Sequence, residues 1–173
     1  MSDFVDDRIA YPHLLGLRDA IGPELAARSL PELCDALLGA GAQVAFDTCS
    51  TDCGGMAWVR LADVFASENF PNLDITPVRG VQLMGQTFEL GIVRGVDLPD
   101  DPREGMSTDV LQAAAQVQMA DMSAMLAVMC GYFGARGIPY IVGQYTPYGI
   151  EGGCVGGSWQ VRVQTGVAPK PVV

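Results

Sequence analysis

The most regular pattern of apolar residues along the chain predicts a long helix over about residues 107–133. Ser107 or Thr108 can cap its first turn. Apolar residues follow at spacings of three and four, which is the period of one helix face. They are Leu111, Ala115, Met119, Met122, Leu126, Met129 and Phe133. This stripe is predicted to pack on the core of the domain.

A second face of the same helix carries small residues instead of charges. It consists of Ala113, Gln116, Ala120, Ser123, Ala124 and Ala127. Because a solvated helix face normally carries more Lys and Glu, this face is expected to pack as well, on a neighbouring subunit. Ala120, Ala124 and Ala127 are the interface candidates on this helix.

Alternation of apolar and polar residues predicts five strands. They cover residues 43–48, 55–65, 87–96, 140–145 and 158–165. Residues 66–86 form a long connection with several prolines and glycines, and long ordered loops are often functional. An α+β fold is therefore predicted, with a mainly antiparallel sheet, a long helix packed on one face and a helical N-terminal region.

The N-terminal region is predicted to contain two helices. The first spans 13–21 and is interrupted by Gly22 and Pro23. The second starts at Ser29, where Glu32 can complete a capping box, and uses Leu33, Leu37 and Leu38 as its apolar face. We divide the chain into an N-terminal helical arm over 1–28, a single domain over 29–165 and an extended tail over 166–173.

Composition narrows the function classes. The chain has 173 residues, of which 49% are hydrophobic and 17% charged, so one folded domain is expected. A net charge of −10 disfavours general binding of nucleic acid, which needs clustered Lys and Arg. We find no run of about twenty apolar residues and no secretory signal at the acidic start. A soluble protein made in a cytoplasm is expected.

Five cysteines offer little catalytic or metal chemistry. Most are predicted to be reduced thiols, since their number is odd and the core needs no staple. Cys49 and Cys53 could form a disulfide, but they lack the second ligand pair of a structural zinc site. Cys154 and His13 form the only Cys-His combination, and Cys154 leads into a strand, whereas a papain-like nucleophile opens a helix. No metal, cofactor or enzymatic activity is expected.

A glycine-rich stretch, YTPYGIEGGCVGGSW, occupies residues 145–159. Its glycines could cradle a phosphate, but neither a lysine nor a helix follows them. We interpret it as a hairpin connection that touches another protein, with aromatic contact area at its ends. The candidate interface residues here are Tyr145, Tyr148, Glu151, Cys154 and Trp159.

Charged residues within the predicted strands have two interpretations. Arg60, Arg94 and Arg162 lie among apolar residues, and Glu89 lies beside Leu90. They are either side chains on the solvent face of the sheet or charges that line a channel or a subunit interface. The acids around 97–104 lie in a proline-containing turn, where carboxylates are usually solvated.

The order of elements, together with four sequence stretches, resembles the tail terminator proteins of long-tailed bacteriophages, particularly neck proteins of actinobacterial phages. The stretches are CGGMAWVRLADVFAS, FELGIVRGV, QVQMADMSAML and YTPYGIEGGCVGGSWQVRV, within about residues 30–165. The resemblance implies a structural virion protein without catalytic residues, assembled in the host cytoplasm. It carries no residue-level contacts over to this chain.

Terminators form a ring, typically a homohexamer, which caps the tail tube, stops its polymerisation and joins it to the head-completion or stopper protein. Genomic DNA passes through such a ring without sequence-specific binding, and an acidic balance suits that conduit. The resemblance therefore implies three protein partners: a second copy, the tube protein and the head-completion protein. The alternatives are another connector or stopper ring of the neck, or a small cysteine-dependent enzyme that uses Cys154.

Overall fold

A computed structural model describes residues 10–39, 54–67, 69–73, 83–99 and 105–165. The elements are α1 (Tyr11–Ala27), β1 (Asp35–Gly39), β2 (Met56–Ala66), β3 (Met84–Gly95), α2 (Thr108–Gly134), β4 (Tyr140–Glu151) and β5 (Cys154–Thr165). The five strands form one sheet in the order β1-β2-β3-β5-β4. Only β1 pairs in parallel, with β2, and the other pairs are antiparallel. The predicted α+β class with a mainly antiparallel sheet is confirmed.

Both helices pack on the same face of the sheet. Helix α1 buries Leu17, Ile21 and Leu25, and they share one core with Phe88, Leu90 and Ile92 of β3. Val161 and Val163 of β5 and the C-terminal half of α2 complete it. Helix α1, which the sequence analysis assigned to an arm over 1–28, is thus packed into the core of the domain. The predicted tail, 166–173, lies outside the described residues.

The N-terminal helices differ from the prediction. Helix α1 continues through Gly22 and Pro23 to Ala27, because Leu25, beyond the proline, is buried against the core. The helix predicted from Ser29 is wrong. Ser29 adopts a left-handed φ of 55° just after α1, and Asp35–Gly39 is the parallel edge strand β1. The strand predicted at 43–48 lies outside the described residues.

Helix α2 begins and ends as predicted, and the Ser107 hydroxyl accepts a hydrogen bond from the Val110 amide. Its buried stripe differs in part from the predicted one, since Met129 and Phe133 are buried as predicted. Leu111, Ala115 and Met119 are exposed, and the core face consists of Asp121, Ala124, Met125, Val128, Met129, Tyr132 and Phe133. The helix is rotated by about a quarter turn relative to the prediction, at about 100° per residue. Ala124 is fully buried, so it cannot contact a neighbouring subunit.

Candidate functional site: the helix-free face of the sheet

The face of the sheet opposite the two helices carries a row of polar side chains. Arg60 of β2 lies directly opposite Glu89 of β3, and Glu89 lies directly opposite Gln160 of β5. Because side chains alternate along a strand, the three share one face. We call them the polar row. Arg162 lies one pair further along the same face, opposite Thr87, and it is exposed.

Glu89 is the centre of the polar row and is almost fully buried. One carboxylate oxygen accepts a hydrogen bond from Arg60 at 2.7 Å and a long one from Gln160 at 3.4 Å. The other accepts from the indole nitrogen of Trp58 at 3.3 Å. Burial alone raises the pKa of Glu89, but the hydrogen bond and charge of Arg60, with the bonds from Trp58 and Gln160, outweigh it and leave the pKa lowered. Glu89 is therefore a fixed negative charge at neutral pH.

Next to the polar row, the same face becomes apolar. Trp58 is 1% exposed and forms a small cluster with Met56, Val93 and Tyr148. The Trp58 ring packs directly on Gly91, so that a Cβ atom at position 91 would overlap the ring. The Tyr148 ring stacks on Trp58 with centroids 6.2 Å apart, and its hydroxyl lies 2.8 Å from the Ser158 hydroxyl. Strand β4 thus places an aromatic side chain beside the buried carboxylate.

Arg94, which sequence reasoning grouped with Arg60 and Arg162, points to the other face. Its Nε and one terminal nitrogen donate to the two oxygens of Asp121 on α2, at 2.6 and 2.7 Å. The remaining nitrogen donates to the carbonyls of Pro31 and Gly54. Both side chains of the pair are less than 10% exposed. Arg94 is therefore not available to line a channel, and it joins four segments of the fold.

The glycine-rich stretch is mostly strand, which corrects its interpretation as a loop. Strands β4 and β5 run through it, and the connection between them is Gly152 and Gly153 alone, both with positive φ. Two-residue turns of that conformation suit the twist of a hairpin. Gly156 and Gly157 lie within β5, where a Cβ on Gly157 would overlap the ring of Tyr145. The predicted hairpin is present, with long strands and a minimal turn.

The remaining interface candidates fall into different environments. Ala120 and Ala127 are half-buried on α2, and Glu151 ends β4. Tyr145 and Trp159 lie on the helix-covered face, where the Trp159 indole donates to the Met122 carbonyl at 2.9 Å. Burial raises the pKa of Tyr145 to about 12. Tyr148 packs against Trp58 on the helix-free face.

The described cysteines differ from the prediction of mostly reduced thiols, whereas Cys49 and Cys53 lie outside the described residues. Cys34 and Cys154 are each disulfide-bonded, and Cys130 is free. Cys154 lies opposite Gly95 at one end of β3, while His13 packs against Phe88, seven residues away along that strand. At roughly 3.3 Å per residue the two are about 20 Å apart, too far for a nucleophile and its base. A metal-binding group of His, Cys, Asp or Glu is absent from the described residues.

The N-terminal half of α2 lies outside the core. Residues 108–120 include no buried residue, and Met119 and Leu111 are 56% and 45% exposed. Its inward-facing residues Val110 and Val117 line a groove of about 350 Å³ above Arg94 and Val155. By length and composition, α2 is also the one helix of the described chain that could cross a membrane, contrary to the sequence expectation. Its C-terminal half nevertheless packs on the sheet.

No protein-family model matches the chain, and no curated protein is detectably similar to it in sequence. The fold and the two surfaces described above therefore carry the functional argument.

Proposed function

We propose that this protein is a structural component of the phage neck, a tail terminator that forms a ring on the tail tube and joins it to the head-completion proteins. The observation that carries this proposal is the apolar N-terminal half of α2, which the described residues of the protomer leave uncovered. Exposed apolar surface of this kind marks an interaction site. A second copy of the chain is the occupant that the proposal requires.

The polar row supports a conduit rather than a catalytic site. Arg60 and Glu89 neutralise each other, and Glu89 has no described histidine, free cysteine or metal ligand beside it with which to share a proton or a ligand. In the proposed ring, exposed residues of the helix-free face such as Thr146 and Gln160 line the channel, and the negative charge of the chain keeps DNA phosphates from binding to its wall.

The terminator assignment is favoured over a stopper by the length of α2. A stopper is expected to be richer in strand, with a small barrel and no helix of this length. Here α2 has 27 residues, and the described strands form a sheet in which β1 and β4 are the outer strands. The sheet order therefore leaves two edges instead of closing into a barrel.

The disulfide-bonded cysteines fit a particle that leaves the cell. Disulfides such as those of Cys34 and Cys154 persist at virion surfaces but are rare in a reducing cytoplasm.

A membrane is a poorer partner for α2 than a second copy of the chain, because the middle of α2 carries Asp121 in a buried ion pair with Arg94. Assembly in the cytoplasm followed by release is the sequence of events that we propose.

The decisive experiment measures the mass of the purified protein, first by itself and then after mixing with tail tubes. We expect native mass spectrometry of the mixture to show a closed ring, most simply six times the 18.3 kDa chain mass, and electron microscopy to show it at one end of each tube. A variant with Met119→Asp and Leu111→Asp should lose the ring yet keep the circular dichroism of the folded chain. Absence of the native protein from tube ends would overturn the proposal.

A further inference from the structure

The sheet has one end where β3 begins and another where β3 finishes. The two ends carry opposite charges, and each also has exposed apolar side chains. We call the end where β3 finishes the acidic end. It consists of Glu32, Asp35, Asp97, Leu98, Asp109 and Leu111, all exposed. We call the end where β3 begins the basic end. It consists of Val64, Leu73, Leu83, Arg136, Ile141 and Arg162, also all exposed.

Pairing and hydrogen bonds place the acidic residues together. Asp97 and Leu98 directly follow β3, and Asp97 lines the same groove as the first turn of α2, where Asp109 and Leu111 lie. Asp35 pairs with Met56, which lies opposite Val93 near the end of β3. Arg94 beneath this surface is already paired with Asp121. Among the described residues, the four exposed carboxylates therefore dominate the charge of this end.

Equivalent evidence places the basic residues together. Val64 lies opposite Gln86, and Arg162 lies opposite both Thr87 and Ile141. The Ser67 amide donates to the carbonyl of Leu83 just before β3.

Arg136 completes the basic end, since it follows α2 just before β4 begins. It stacks on the Tyr132 ring at 3.7 Å. Among the described residues, one exposed carboxylate, Asp63, lies beside Thr87, so two described guanidinium groups face one acid.

We propose that copies of this chain associate head to tail, with the acidic end of one against the basic end of the next. The inference rests on the proposed ring, because the ring makes a second copy of the chain the partner. It adds which surfaces of the two copies are in contact. An isologous contact would place like charges against each other, which costs affinity and specificity. Head-to-tail contacts instead form closed rings when the rotation per copy closes.

The distance between the ends fits this arrangement. Strand β3 has twelve residues, so the ends are about 35 Å apart at roughly 3.3 Å per residue. One copy therefore presents its two ends to two different neighbours. Burial of Leu98 and Leu111 against Ile141 and Leu83 supplies apolar contact, while the charges set the direction.

Two charge-reversed variants test the inference. Asp97→Arg with Leu98→Arg and Asp109→Arg makes both ends basic, and Ile141→Glu with Arg162→Glu makes both acidic. Each variant alone should associate at least about tenfold more weakly than the native protein. An equimolar mixture should regain association, with equal numbers of the two variants in each oligomer by native mass spectrometry. Gln144→Arg and Thr146→Glu, at exposed positions in the middle of β4, are the controls and should associate normally.

The outcomes separate this inference from the proposed function. Native rings that both variants still form alone would overturn the head-to-tail contact and leave the terminator standing. A dimer retained by just one variant would reveal an isologous interface and also overturn it. Absence of rings on tubes would overturn the proposed function.

Discussion

Among the described residues, each face of the sheet contains one buried pair of a carboxylate and a guanidinium, and the two pairs have different roles. Arg94 and Asp121 join β3 to α2 across the helix-covered face, with side chains 8% and 4% exposed. Arg60 and Glu89 join neighbouring strands on the helix-free face, with side chains 14% and 6% exposed. The first pair holds a helix against the sheet, whereas the second pair connects two strands that are already hydrogen-bonded to each other. Charged residues on strands thus acquire their role from the face they point to.

Breaking the pair on the helix-covered face should have the largest effect on stability. Arg94→Met leaves Asp121 buried without a partner, which costs about 3–5 kcal/mol. The double variant with Arg94→Met and Asp121→Leu removes both charges and should recover most of that loss. Urea denaturation measures both. A loss below about 1 kcal/mol in the single variant would mean that water reaches Asp121.

Two Gly→Ala substitutions, one on the helix-free face and one in α2, should change the stability by intermediate amounts. Gly91→Ala on the helix-free face places a Cβ 2.1 Å from the Trp58 ring, and displacing a packed ring costs about 1–3 kcal/mol. Gly131→Ala in α2 meets no atom within 4 Å, so it should stabilise the protein by about 1 kcal/mol. Thermal unfolding should therefore shift in opposite directions. Two shifts of the same sign would contradict the packing of Trp58 against Gly91.

The smallest effect should come from the pair on the helix-free face, and it should depend on pH. Glu89→Gln should cost about 1 kcal/mol at pH 7, since Gln can still accept from Trp58. The pKa of Glu89 is lowered from 4.5 in the folded protein. Its contribution is therefore complete above that value and is lost as pH falls through the folded pKa. The urea midpoints of the two proteins should converge in acid, and a constant gap would contradict the assigned ionisation.

Sequence reasoning located most elements but not the direction in which α2 faces. The period of three and four is shared by the stripe with Leu111 and Met119 and by the one with Met125 and Val128. Both stripes are apolar or small, so periodicity alone could not select between them. An aspartate at position 121 was the available clue, because a buried acid requires a partner on the facing strand.

The errors near β1 and in the hairpin have a similar physical origin. Ser29 and Glu32 match a capping box, yet pairing with β2 over Asp35–Gly39 overrides that local preference. Glycines near position 156 suggest a loop, whereas in β5 they make room for Tyr145 and for the backbone of Ile92. Both outcomes depend on residues distant along the chain. The polar row likewise required a register, which a single strand pattern does not provide.

The two tryptophans of the chain lie on opposite faces of the sheet, so each is a spectroscopic reporter for its own face. Trp58 donates to Glu89 on the helix-free face, and Trp159 donates to the Met122 carbonyl on the helix-covered face. Phenylalanine at either position leaves the other indole as the sole source of tryptophan fluorescence. Emission from Trp58 then follows changes around Glu89 on the helix-free face, and emission from Trp159 follows the docking of α2.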